Sequence, residues 1–484
     1  MVSWQLRIST QLNLSEKSPK IISDETGVLY NQAFTSFLSE NQITFSVTDK
    51  IPDMLSIVSK KETLIIITGI REIPDFITNK YEHRIFTFAD IPLNGQIQSI
   101  LSKQPVSAII QLLDYCYKND PHIVLSQVNL PDLLIKSTHD VALSRIDEIA
   151  SNIKSVLSDE PEYKAVLQLG KLFGELIYLS YKYNNNNLYS DIIPVIDSYA
   201  EKIVLNGKMN DAFFASFSGN PVTVDKILHN IRFEKKDKSA LLCFDCMGWA
   251  EWFLLKDFLK EMNLTFEETE LFALLPTVTS ISRSAIFQGS TDVYNIKTPG
   301  KAYEEKTFAS FFSEKETKYF NGTDTITNDS LLGYDCISLL FTFFDDIAHA
   351  AQIPENGLGK LLYFDAINSY LKNSNIKQII KILLQNGFSL YICSDHGSVV
   401  ATGNGQRIEK YLIDNFAKRA CIIPESSSEL TELKKVNIPF VSDKLMIVPE
   451  GREMFTYKGK QEINHGGITV EEMVVPYIKV KRNG

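Results

Sequence analysis

Cysteine is sparse in this sequence: six in 484 residues, at Cys116, Cys243, Cys246, Cys336, Cys393 and Cys421. That excludes a disulfide scaffold. Most of these thiols sit in apolar runs, which predicts reduced, buried side chains and a cytoplasmic compartment. Cys243 and Cys246 form a C-x-x-C in C-F-D-C, readable as a redox pair or as a plain strand end. Long hydrophobic runs are missing too. No stretch approaches the ~18–20 apolar residues of a membrane span. The opening M-V-S-W-Q-L-R-I-S-T-Q lacks the apolar segment of a signal peptide, so no membrane partner is expected. Positive charge is in deficit, with 49 Lys+Arg against 59 Asp+Glu and a net charge of −10. This argues against a dedicated duplex-DNA binder, which carries a basic footprint. It leaves room for a local basic groove or a metal-lined phosphate site.

What is present is an ordinary globular composition, 44% hydrophobic and 22% charged, which excludes a disordered or collagenous chain. The length exceeds one core and predicts two to four domains at roughly 100–200 residues each. Residues 1–120 read as a small α/β domain. The runs Lys20–Ser23, Ile43–Val47, Thr63–Thr68 and Arg84–Phe88 are strand-like, with helical stretches such as Tyr30–Glu40 between them. That alternation implies a parallel sheet. Asp24 ends the first strand, where a receiver domain would carry an acidic site, yet Thr63–Thr68 leads into Gly69 rather than into Asp. Residues 121–215 read as a helical spacer or docking region. Leu143–Leu157 and Glu162–Tyr183 carry apolar residues at three- and four-residue steps, and Asn184–Asn187 is a polar loop. Residues 216–484 read as a doubly wound α/β domain. Ser239–Phe244, Ile337–Phe344 and Ser389–Cys393 are near-continuous apolar runs of the kind buried on both faces of a parallel sheet, with helical stretches at Trp249–Glu261 and Ile376–Gln385.

Each of the three buried runs ends in an acidic residue: Asp245, Asp345–Asp346 and Asp395. Ligands of open α/β sheets sit at the carboxyl ends of the strands. One such aspartate could cap a helix, but three delivered to one edge repel one another and call for cations. Of seven histidines, three lie beside these carboxylates. His349 is four residues after Asp345 in D-D-I-A-H, so both can face one ion from a helical turn. His396 follows Asp395 in S-D-H-G, where Gly397 lets the chain leave sharply. His465 lies in N-H-G-G. Asp and His together suit zinc and related ions. A hydroxyl nucleophile is available in L-L-P-T-V-T-S-I-S-R, before a helix expected from Ser282 to Phe287. Thr277, Thr279, Ser280 and Ser282 are candidates at a helix N-terminus, which favours phosphate oxygens. Arg283 could clamp a phosphate or be a solvated helix charge.

The set Asp245, P-T-V-T-S-I-S-R, D-D-I-A-H, S-D-H-G and N-H-G-G-I-T-V-E-E-M-V-V-P resembles the PglZ family of the alkaline-phosphatase superfamily, over roughly residues 235–480. The resemblance implies an alkaline-phosphatase-like, doubly wound, mostly parallel sheet in the C-terminal half. It implies two divalent metal ions, zinc by ligand type. Asp345, His349 and His465 would hold one ion, and Asp245, Asp395 and His396 the other. Asp346 is the alternative to Asp345; the spacing to His349 favours Asp345. The superfamily nucleophile falls on the second Thr of P-T-x-T, Thr279, with Ser280 and Arg283 on the substrate side. The sulfatase pattern C/S-x-P-x-R has no counterpart near Thr279. Members are associated with phage-defence systems of the BREX type, and a related PglZ domain acts on oligonucleotide phosphodiesters.

The expected activity is therefore phosphodiester hydrolysis, of a nucleic-acid-type substrate, in a defence context. Other defence proteins would be partners through residues 1–215. A second reading is a structural or regulatory subunit whose metals stabilise the fold. A third is a phosphomonoesterase or mutase of the same superfamily. Lys235–Lys236, Lys434–Lys435 and Lys479–Arg482 could guide a polyanion or be solvated surface charge.

Overall fold

The computed structural model describes the chain except residues 1–2, 17, 61–64, 80, 184–190, 263, 352, 354–359, 407, 410–416, 427–432, 440 and 483–484. The expected polar loop Asn184–Asn187 and the first two residues of the run Thr63–Thr68 lie outside the described residues. The chain divides into two compact units, Met1–Arg145 and Ile146–Gly484.

The first unit is built on four parallel strands, β1 (Lys20–Asp24), β2 (Phe45–Val47), β3 (Ile65–Thr68) and β4 (Glu82–Phe86), in the order β2-β3-β1-β4. Consecutive isoleucines explain how both faces are covered, because successive side chains of a strand point oppositely. Ile21 and Ile66 pack with Met54 and Ile77 on one face. Ile22, Ile65 and Ile67 pack with Phe34, Leu38 and Ile109 on the other. Asp24 is spent on its own turn: it accepts from the backbone of Thr26 and Leu29, both at 2.8 Å.

The second unit contains a six-stranded sheet of β5 (Ser239–Phe244), β6 (Leu264–Phe272), β7 (Thr317–Asn321), β8 (Cys336–Phe341), β9 (Ser389–Ser394) and a C-terminal strand, Val474–Arg482. Between β9 and that last strand the described residues form six short strands: β10 (Val399–Gly403), β11 (Cys421–Pro424), β12 (Lys434–Asn437), β13 (Lys444–Val448), β14 (Glu453–Met454) and β15 (Gln461–Asn464). They form two three-stranded sheets and make the C-terminal strand β16. The large sheet runs β6-β16-β9-β5-β8-β7; β9, β5, β8 and β7 are mutually parallel and β16 is antiparallel to both neighbours. Every side chain of β5 and β8 is buried, as their unbroken apolar runs require. The six cysteines are all buried and free of disulfides.

Two element boundaries beside candidate site residues differ from the sequence reading. The run Ile337–Phe344 splits: β8 stops at Phe341 and a helix starts at Phe343. Asp345 and Asp346 therefore stand in the first turn of a helix, not at a strand end. Apolar continuity cannot separate a buried strand from the buried face of the next helix. The helix expected from Ser282 begins at Thr279, with Val278 extended before it.

The helices within residues 121–215 fall on both sides of the division. Helix Leu130–Leu157 spans it, while Tyr163–Lys182, Ile193–Leu205 and Met209–Ala215 contribute to the second unit's core. Gly170 and Gly174, one turn apart, let helix Tyr163–Lys182 approach the unit closely. A Cβ at Gly170 would lie 2.4 Å from Val474 Cβ, and one at Gly174 2.3 Å from Trp249 Cβ. Replacing Gly170 with Val should cost about 1–3 kcal/mol through overpacking. Chemical denaturation of the second unit measures this, and an unchanged midpoint would contradict the close packing.

Candidate active site

Parallel pairing of β5 with β9 sets Cys243 beside Cys393 and Phe244 beside Ser394. The residues that follow, Asp245 and Asp395, therefore emerge together at the carboxyl edge. Asp245 extends the ladder, donating its N–H to Phe341 O at 2.8 Å. Asp395 Oδ1 accepts from the N–H of Cys246 at 3.2 Å and of His396 at 3.0 Å. Its Oδ2 is buried and accepts no hydrogen bond among the described residues. Burial, and then the neighbouring Asp245 carboxylate, push the Asp395 pKa well up. The turn after His396 passes so near the backbone that a Cβ on Gly397 would sit 2.0 Å from Glu471 O.

His396 is fully buried. Its Nδ1 is 3.2 Å from Gly397 O. A carbonyl only accepts, so this nitrogen carries the proton and Nε2 turns its lone pair to the site. That Nε2 lies 3.0 Å from Thr279 Oγ1, 3.6 Å from Asp245 Oδ1 and 3.8 Å from Asp395 Oδ2. His465 repeats the device, with Nδ1 at 3.2 Å from Thr277 O and Nε2 at 3.7 Å from Asp345 Oδ1. The two imidazoles stack with centroids 4.2 Å apart. Burial, and then His396, push the His465 pKa down to about 4, so the ring is neutral at pH 7 and competent as a ligand.

Asp345 and His349 share one face of helix Phe343–Ala350, with His349 Nε2 at 3.1 Å from Asp345 Oδ1. Burial raises the Asp345 pKa, but His349 and His465 outweigh it and carry it down to about 2. The Asp345 carboxylate 3.1 Å away raises the His349 pKa against the effect of burial. Asp346 is exposed and accepts from Thr342 Oγ1 at 2.8 Å, away from this cluster. Two trios result, Asp345/His349/His465 and Asp245/Asp395/His396, each with ligand-type atoms within 4.8 Å of one another and able to hold a metal ion. The inward-turned Nε2 atoms of His396 and His465 and an unbonded buried carboxylate oxygen fit such an ion.

Thr279 is the first residue of helix Thr279–Gln288; its hydroxyl lies 3.4 Å from Asp245 Oδ1 and 3.0 Å from His396 Nε2. The other hydroxyls divide by use. Thr277 donates to Gly467 O at 2.9 Å, and Ser282 donates to Asp395 O at 2.5 Å. Both are fully buried, whereas Thr279 and Ser280 are half-buried at the helix start. Arg283 is only 8% exposed, which removes the solvated alternative. Its guanidinium pairs with Asp245 and, at 2.8 Å, with Glu304. Neither Glu304 nor its partner Tyr319 had a sequence signal, since K-A-Y-E-E-K reads as an exposed helix. Of the basic clusters, Lys434 is paired with Glu201 at 2.6 Å and Lys479 with Glu234 at 2.5 Å.

The motif H-G-G-I-T-V-E-E owes its glutamates to architecture. Glu472 Oε1 accepts from Gly467 N at 2.7 Å and from Arg419 Nε at 2.8 Å; Glu472 Oε2 accepts from Thr469 Oγ1 at 2.7 Å. This is a capping box closed over a buried ion pair. It fixes the loop that carries His465. Burial opposes ionisation of Glu472, but Arg419 and these donors hold its pKa below the usual carboxylate range. Its contribution is therefore complete above the ordinary carboxylate value and is lost as pH falls through the depressed one. Glu472→Gln should destabilise by about 3–5 kcal/mol at neutral pH. It should also flatten the acid limb of the stability–pH curve; equal acid sensitivity in both proteins would count against this role.

A family described as the BREX system PglZ alkaline phosphatase-like domain matches residues 224–480. No curated protein matches the chain. Among solved structures, murine ectonucleotide pyrophosphatase/phosphodiesterase 5 is 12% identical with a TM-score of 0.30, over 50% of this chain and 88% of that one. Its human counterpart is 13% identical with a TM-score of 0.32, over 50% and 87%. Phosphonoacetate hydrolase from Sinorhizobium meliloti 1021, in complex with phosphonoformate, is 11% identical with a TM-score of 0.31, over 51% and 90%. The family match takes in just over half of the chain and every residue of both trios together with Thr279; the chain belongs to the PglZ family of alkaline-phosphatase-like proteins.

Proposed function

We propose that this protein is a metal-dependent phosphodiesterase acting on nucleotide or oligonucleotide phosphodiesters, with Thr279 as the nucleophile. The observation that carries the reading is the position of the Thr279 hydroxyl, 3.0 Å from His396 Nε2 and 3.4 Å from Asp245 Oδ1, on the rim of a carboxylate–imidazole trio. Family membership supports a phosphoesterase at the coarser level.

Asp345, His349 and His465 would hold one divalent ion, and Asp245, Asp395 and His396 a second. Zinc fits this mixture of carboxylate and imidazole. Bound ions would lower the pKa of a hydroxyl or water and neutralise charge on the leaving oxygen. The chain's own residues supply position. The Thr279 oxygen bonds to phosphorus in line as the ester bond to the leaving alcohol breaks, the hydroxyl proton ending on the departing alkoxide by way of solvent; water then cleaves the phosphothreonine, restoring the Thr279 hydroxyl and releasing the phosphomonoester. The free N–H groups at the start of helix Thr279–Gln288 would be available to phosphoryl oxygens. Ser280 and Arg283 line the substrate side. The family description suits a BREX-type defence setting, in which a cytoplasmic protein would use residues 1–215 to dock other defence proteins.

Purified protein with zinc should release nitrophenol from bis-p-nitrophenyl phosphate faster than from the monoester. Thr279→Ala should lower that rate by roughly three orders of magnitude or more, and chelation should abolish it. A Thr279→Ala variant at full rate would sink the nucleophile assignment. A chelator-resistant rate would sink the metal requirement. A faster monoester would make the enzyme a phosphomonoesterase.

A further inference from the structure

Arg283 lies one turn after Thr279 on the same helix and divides its guanidinium between two carboxylates. Nη1 is on Asp245 Oδ2 and stands 4.0 Å from Asp395 Oδ2, while Nε donates to Glu304 Oε1 at 2.8 Å. Glu304, on helix Lys301–Phe311, is 1% exposed. Its second oxygen accepts from the Tyr319 hydroxyl of β7 at 2.6 Å. Both Glu304 oxygens are thus engaged and its place is set from two elements. Asp245 is also divided: Oδ1 faces Thr279 and His396, and Oδ2 faces Arg283. A fixed guanidinium therefore stands on a carboxylate that also belongs to a trio able to hold a cation.

We infer that Glu304 is a positioning residue that shares Arg283 with Asp245 and so limits the hold of the guanidinium on that carboxylate, and that this guanidinium competes with a divalent cation for Asp245. The inference rests on the two-ion reading of the site. Two cations drawn to one carboxylate in a poorly solvated pocket repel each other. Removing the Arg283 charge then strengthens cation binding. Removing the Glu304 charge has the opposite effect, for two reasons. The site loses a nearby negative charge, and Arg283 is left to lean wholly on Asp245. A residue of purely structural value would weaken binding in both cases. The opposed signs separate competition from damage.

The test is zinc titration of the full chain against a chromophoric chelator, for wild type, Arg283→Gln and Glu304→Gln. Arg283→Met covers the case in which Gln upsets the core, and thermal melts in chelator verify folding. Arg283→Gln or Arg283→Met should tighten one binding event by about tenfold or more, and Glu304→Gln should loosen the same event comparably. Shifts of the same sign, or none, overturn the inference and leave the two-ion reading standing. Wild-type protein that binds no zinc overturns both.

Discussion

Like charges delivered side by side at the end of a parallel sheet are the constraint on which the rest of this structure depends. Strands β5 and β9 pair in register through Phe244 and Ser394, so Asp245 and Asp395 leave the sheet together. Two unit charges about 4 Å apart interact by about 4 kcal/mol at an effective dielectric of 20, and burial adds a desolvation cost. The surroundings answer with directed partners. Backbone N–H groups of Cys246 and His396 bind Asp395, Arg283 sits on Asp245, and His396 turns a lone pair toward both. What these partners leave unmet is a buried Asp395 oxygen and a surplus of negative charge, the conditions under which a divalent cation binds.

The second trio meets the same need differently. It has one carboxylate, and its histidines come from far apart in the chain. His349 is placed by helical spacing, one turn after Asp345. His465 depends on a loop braced by the buried Glu472–Arg419 pair. The common feature is that both His396 and His465 donate Nδ1–H to a backbone carbonyl, which sets the tautomer without spending another ionisable group. The close passage of Gly397 against Glu471 O joins the two trios, because it carries the S-D-H-G turn onto the H-G-G-I-T-V-E-E segment.

The helices after residue 145 belong energetically to this site-bearing unit. Gly170 and Gly174 bring helix Tyr163–Lys182 onto Val474 and Trp249, which follow Glu472 and Asp245 closely in sequence. Asp197 joins Glu471 in binding Arg452 at 2.7 Å, so a helix remote in sequence also braces the glutamate beside Glu472. Residues with no motif of their own thus help to place those that have one.

Much of the site was legible in the sequence because its cues are local. Buried parallel strands read as unbroken apolar runs, and the acidic residue after each run follows from the position of ligands at strand ends. The Asp345–His349 spacing is a helical repeat. These cues predicted β5, β9 and helix Ile376–Gln385 to within a residue. They failed where one buried run covers two elements, as at Phe341–Phe343, since periodicity cannot mark that boundary. Tertiary structure alone decided which groups meet. It turned Asp346 outward and used Thr277 and Ser282 as struts. It drew Glu304 and Tyr319 to Arg283 and set Arg419 under the His465 loop. Those choices depend on long-range packing and on the pairing of buried charge, and neither leaves a spacing that a linear sequence can display.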